Sequence, residues 1–197
     1  MISLLIVVLS IVNGGFQLRG DFMRVLEEDI IRWAEEYSTN KRIDPLFMLA
    51  IAAQESSFRA NAISKSGAMG LFQFMPITVK DISERFGYPF DPYNPEQATK
   101  AAKIYLTWLC DKLLTENVST LMFYLRDSNI TYPHDLVLIA YNWGYGNLSK
   151  YINSRIIIEG NKMIPRSEEV YIELPDETKN YICKVNSYYK LYVFINQ

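Results

Sequence analysis

The sequence predicts a mainly α protein with one small β-hairpin near residues 155–164, and three observations predict it. Apolar residues recur at helical spacing along much of the chain, an Asp or Asn followed by proline marks two helix starts, and β-branched runs gather in one short stretch.

The first helix opens behind Asp21, read as its N-cap. Phe22, Leu26, Ile30, Trp33 and Tyr37 share one face, while Glu27, Glu28, Arg32, Glu35 and Glu36 take the other. Asp44-Pro45 starts the second, because the cap satisfies an orphan N–H and proline needs none at the first helical position. Its unbroken apolar run Leu46 to Ala53 marks a segment buried on all sides. Pro76 opens a third helix that closes at Gly87. Asn94-Pro95-Glu96-Gln97 joins an N-cap, a first-turn proline and a capping-box glutamine, and a helix follows to about Leu114. A short helix is read around Leu121 to Leu125, inside an insertion from Thr115 to Pro133. The apolar segment Leu136 to Tyr141 ends in Asn142-Trp143-Gly144. The last helix begins near Pro175 with Thr178, Tyr181, Val185, Tyr188 and Tyr192 along one face. Between them, Arg155 to Ile158 and Lys162 to Ile164 flank Gly160-Asn161 as two strands around a turn.

With 197 residues, 49% of them hydrophobic, the chain can bury one well-formed core. Met1 to Val12 is almost wholly apolar before Asn13-Gly14-Gly15. It is shorter than the ~20 residues of a spanning helix and matches a signal-peptide core, the alternative being a buried N-terminal helix or an internal start within a longer gene. Residues 1–20 are therefore read as a signal peptide or apolar N-terminal segment, and 21–197 as one domain. Export to the periplasm or cell envelope is the expected destination, a phage particle being the alternative.

Charge and side-chain inventory remove several classes of function. The 20 basic and 22 acidic residues are dispersed, so no basic stripe steers the chain to nucleic acid. Two cysteines, Cys110 and Cys183, are read as small buried residues, or as a disulfide pair if the chain is exported. One histidine, His134, read as a loop or helix-start residue, cannot with a second histidine build a zinc site or a catalytic triad. No metal and no cofactor are expected.

Glu55 follows directly on the buried run, at the C-terminal end of its helix. Desolvation and the partial negative charge of a helix C-terminus both favour the protonated carboxyl, which suits an acid that must protonate a glycosidic oxygen near neutral pH. An ordinary solvated helix-end glutamate has the same local signature. The loop Ser66-Gly67-Ala68-Met69-Gly70-Leu71-Phe72-Gln73-Phe74-Met75-Pro76 alters the balance. Its glycines allow close backbone approach to a ligand, its amide suits hydroxyl and N-acetyl groups, and Met and Phe suit the apolar face of a sugar ring. Tyr141, Trp143 and Tyr145, crowded near glycines, are likewise placed for a sugar face.

These residues resemble one family: lytic transglycosylases with the soluble lytic transglycosylase (SLT) type of catalytic domain, similar in fold to goose-type lysozymes. The resemblance rests on Glu55-Ser56; Gly70-Leu71-Phe72-Gln73 with Pro76 and Thr78; Ala140-Tyr141-Asn142 with Gly144 and Gly146; and Leu174-Pro175-Asp176-Glu177-Thr178 with Tyr181. It runs from about Ile43 to Val185. Phe72 stands where the family more often has Met, and Thr99-Lys100-Ala101-Ala102 where a glycine is common.

The resemblance implies a lysozyme-like helical domain with Glu55 as the single catalytic acid/base. Ser56, Ser64, Gly70, Leu71, Phe72, Gln73, Met75, Tyr141, Asn142 and Glu177 are then its substrate-binding residues. Tyr141 would orient the carboxyl, and Glu177 would face the peptide stems. The implied activity is cleavage of the β-1,4 bond between N-acetylmuramic acid and N-acetylglucosamine with 1,6-anhydro ends. A goose-type-like hydrolase and a non-catalytic peptidoglycan-binding component of an envelope-spanning machine are the alternatives. The expected partner is the peptidoglycan glycan strand, met by a monomer working in a secretion, conjugation or phage assembly.

Overall fold

A computed structural model describes residues 19–37, 43–114, 133–159, 162–165 and 174–197. The apolar leader before Arg19 and the short helix read around Leu121 to Leu125 lie outside the described residues. The elements are α1 (Arg19–Glu36), α2 (Pro45–Ser56), α3 (Pro76–Phe86), α4 (Pro95–Leu113), α5 (Pro133–Ile139), a π turn (Ala140–Gly144), α6 (Tyr145–Arg155), β1 (Ile156–Glu159), β2 (Lys162–Pro165) and α7 (Asp176–Ile195). The chain divides into two compact units, the first of Met1–Tyr105 with Val185–Gln197 and the second of Leu106–Lys184. No described helix is long and apolar enough to cross a membrane.

In the first unit α2 is the centre. Phe47 through Ala53 are all buried, so the helix has no solvent face over two turns. Asp44 caps it as expected, accepting from the Leu46 N–H at 2.9 Å. Its other oxygen takes the Tyr189 hydroxyl at 2.7 Å, and the Tyr189 ring meets Phe47 edge-on. Burial and this bond push the Tyr189 phenol up to about 12. From α4, the buried Lys103 ammonium donates to Ile43 O at 2.6 Å, fixing the entry to the helix.

Helix α1 differs from the sequence reading in two ways. Asp21 lies inside the helix rather than ahead of it. Glu27, assigned to the solvent face, is only 5% exposed. Among the residues whose burial is described, the inward stripe is Glu27, Ile30 and Ala34, at i, i+3 and i+7, while Trp33 and Tyr37 are half-buried. Burial first, and then the neighbouring Glu28, raise the Glu27 carboxyl from 4.5 to about 7.

That shift carries a pH signature. A carboxyl with a raised folded pKa binds more protons folded than unfolded between 4.5 and about 7. Stability is therefore full below that window and falls as pH rises through it, by at most about 3 kcal/mol. Glu27→Gln should flatten the slope and leave the protein more stable than wild type at pH 8, as urea denaturation at pH 5 and pH 8 will measure. An equal pH slope in both proteins would contradict the assignment.

Helix α4 begins with Asn94 accepting from the Gln97 N–H at 3.1 Å. Gln97 does not close a capping box onto Asn94. Its side-chain oxygen instead accepts the Asp91 N–H at 2.8 Å, because the Asn94 N–H already donates to Asp91 O. Gly87 ends α3 in the left-handed region at φ 62°, as expected.

In the second unit, α5 carries Leu136 through Ile139 fully buried, and His134 stands in its first turn. The segment does not stop at Asn142-Trp143-Gly144. It passes through the π turn and continues as α6, with Gly144 at φ 94° absorbing the irregularity. Strands β1 and β2 pair antiparallel from Ile156↔Pro165 to Glu159↔Lys162. Both cysteines are thiols, and the expectation of burial holds for Cys110 but not for Cys183, which is exposed on α7.

Candidate active site

Glu55 is the penultimate residue of α2 and is half-buried, so the apolar run Leu46 to Ala53 delivers one carboxyl to the last turn of the helix. The helix stops at Ser57, left-handed at φ 51°, whose N–H returns to Ala53 O at 3.0 Å. Phe58 follows at φ 64°, and Gln73 stands at φ 49°. These are the positive-φ non-glycine residues among those described, and all three flank Glu55 or the glycine loop. Strained backbone of this kind collects where surrounding structure holds a site in place.

Ser56 ties the loop to the helix. It is 2% exposed, and its hydroxyl donates to Leu71 O at 2.8 Å. Leu71 and Phe72 are fully buried, with Phe72 against Phe74 at 6.2 Å between ring centroids. The side chains of Ser56, Leu71 and Phe72, three of the expected substrate-binding residues, face the interior and set where the loop lies. Ser56→Ala should leave the buried Leu71 carbonyl without its donor. That costs about 1 to 3 kcal/mol and loosens the loop, a loss that chemical denaturation will measure. Unchanged stability would contradict this role.

Gly70 has φ +73°, and a Cβ there would sit 1.8 Å from Pro92 O. Its close approach is to the chain itself. The Gly70 N–H donates to Ala62 O at 2.8 Å, while Met69 and Phe74 exchange two backbone bonds of 2.9 and 3.0 Å. Gln73 Nε2 donates to Gly70 O at 2.8 Å and Ala62 O at 3.3 Å. Carbonyls only accept, so these bonds fix which end of the amide faces inward and leave Oε1 as the end a donor can reach.

Ser64 is half-buried, accepts from the Ala68 N–H at 2.9 Å, and shares a 2.9 Å bond with Ser66 Oγ. Met75 is 38% exposed, whereas Phe72 and Phe74 are in the core, so of the apolar residues expected at a sugar face in this loop Met75 is the most open.

Tyr141, Asn142 and Glu177 belong to the second unit. Tyr141 and Asn142 lie half-buried in the π turn, a local widening that re-aims side chains. Thr178 Oγ1 donates to Asn142 Oδ1 at 2.9 Å. Glu177 is exposed in the first turn of α7, where its charge complements the dipole. Trp143 and Tyr145 use their rings internally, edge-on against Tyr151 and Trp108 respectively. Among the described residues no group of three His, Cys, Asp or Glu could hold a metal ion.

Sequence reasoning passed over Pro92, Ala62 and Arg59. Pro92 and Ala62 act through backbone carbonyls, which leave no side-chain signal in a sequence. Arg59 had a signal in its place four residues after Glu55.

A buried helix ending in one glutamate, with a glycine loop bonded onto that end, defines a lysozyme-like helical domain. The sequence model of the Transglycosylase SLT domain matches residues 32–164, and the chain belongs to that family. A relative from Actinobacillus pleuropneumoniae, "Membrane-bound lytic murein transglycosylase C", is 30% identical over 167 residues, 78% of this chain and 42% of its own. The protein of that name from Photorhabdus laumondii is 31% identical over 165 residues, 76% of this chain and 43% of its own. The chain thus spans less than half the length of these relatives. Among solved structures, the soluble lytic transglycosylase SLT70 of Escherichia coli gives a TM-score of 0.58 at 22% identity, over 88% of this chain and 26% of that one. An inactive mutant of lytic transglycosylase Slt from Pseudomonas aeruginosa gives 0.56 at 23%, over 83% and 23%. At these identities the likeness is one of fold.

Proposed function

We propose that this domain cleaves the β-1,4 bond between N-acetylmuramic acid and N-acetylglucosamine in peptidoglycan by lytic transglycosylation, with Glu55 as its single acid/base. The observation that carries the proposal is a half-buried Glu55 just past the buried run Phe47 to Ala53, next to a serine that bonds the Gly70–Gln73 loop in place. The names of the relatives support the substrate class.

In this mechanism Glu55 gives its proton to the glycosidic oxygen as the bond from the anomeric carbon breaks. The 6-hydroxyl of the same muramic residue then attacks that carbon and returns its proton to the carboxylate. One carboxyl suffices because a held hydroxyl reacts at effective molarities of ~10⁵ M or more, which removes the need for a second carboxylate to activate water. Gln73 Oε1, Ser64 and Met75 line the strand near Glu55. Tyr141, Asn142 and Glu177 serve the same substrate on the strength of the motif match. A chain with this activity works in the periplasm or cell envelope.

Purified protein incubated with isolated sacculi should release soluble muropeptides. Sacculi that stay intact while the folded protein remains in solution would refute the activity.

A further inference from the structure

The stretch from Ser56 to Lys80 carries Arg59, Lys65 and Lys80 and no Asp or Glu, in a chain whose formal net charge is −2. The glycine loop is itself uncharged, so the charge beside it is that of Arg59 and Lys65, Lys80 being paired with Glu84 at 3.8 Å. Arg59 is the cation nearest Glu55 in sequence, and its geometry is fixed. Its Nε donates to Ser56 O at 3.0 Å, and its backbone N–H donates to the same oxygen at 3.2 Å across the left-handed pair Ser57 and Phe58. The residue is exposed, and the terminal nitrogens Nη1 and Nη2 meet no acceptor among the described residues. A guanidinium held by Nε has lost most of the rotamer freedom that weakens an exposed arginine. Its two remaining nitrogens form the planar fork that matches a carboxylate.

We propose that Arg59 anchors a carboxylate of the glycan strand beside the bond that is cut. This rests on the function proposed above and names a further determinant of its substrate. Two carboxylates are available on such a strand: those of the peptide stem, and the lactyl carboxylate that is exposed when the stem is removed. The fork accepts either. A neutral strand offers it nothing, so Arg59 discriminates by charge.

The test is binding by the Glu55→Gln protein, which does not require turnover. It is compared with Glu55→Gln carrying also Arg59→Gln or Arg59→Lys. Three strands are used: stem-bearing, stem-free after amidase treatment, and stem-bearing with carboxylates converted to neutral amides. Arg59→Gln should weaken binding about tenfold on one or both carboxylate-bearing strands and leave the amidated strand unchanged, and the affected strand identifies the source. Arg59→Lys should recover only part of the loss, because an ammonium lacks the fork. Equal effects on all three strands, or none, would overturn the proposal. Cleavage of sacculi by the Glu55 protein is scored separately, so loss of the carboxylate preference and loss of the activity are distinct results.

Discussion

Glu55→Gln is expected to lower muropeptide release by at least about 10²-fold while leaving helix content and thermal midpoint near those of the wild type. Glutamine keeps the size of the side chain and loses only the ability to give up and take back a proton. Glu55 is half-buried at a helix end, so the exchange opens no cavity in the packed run Phe47 to Ala53. Binding of glycan strands should persist, since the residues proposed to line the strand are untouched. Release at the wild-type rate would mean that another group carries the proton.

The second large effect is steric. Gly70→Ala should destabilise the fold by about 3 kcal/mol or more and take most of the activity with it. A methyl group at this position would lie 1.8 Å from Pro92 O, a backbone atom that moves only if its own segment moves. The left-handed φ of +73° adds a further penalty. Shifting Gly70 also disturbs the carbonyl that holds Gln73 Nε2. Gly67→Ala is the control. Gly67 has φ +84° with nothing within 4 Å of its Cβ position, so the cost should be near that of the backbone conformation alone, about 1 kcal/mol. Denaturation midpoints for the two variants measure the difference, and equal costs would contradict the account.

The helices were legible because their signals are local. Asp44-Pro45 and Asn94-Pro95 start helices where an oxygen and a fixed φ are needed, and Gly87 ends one where φ must be positive. Glu55 stood out as a candidate through the motifs around it, because the apolar run Leu46 to Ala53 alone fits a solvated helix-end glutamate equally well. Glu27 was not, since a charged residue inside a packed stripe contradicts the pattern used to find the stripe. The internal contacts of Ser56 and Gly70 were not legible for a related reason. Both contact backbone carbonyls from distant positions, Leu71 and Pro92, which no spacing rule announces. The π turn was invisible because its residues Ala140 to Gly144 read equally well as a helix end.

The most direct measurement is mass spectrometry of the ends released from purified sacculi. Transglycosylation with Glu55 as sole acid/base predicts muropeptides one water lighter than hydrolysis gives, with non-reducing 1,6-anhydro termini, and their disappearance in Glu55→Gln. Reducing ends at full mass would instead place water as the nucleophile and contradict the single-carboxyl mechanism.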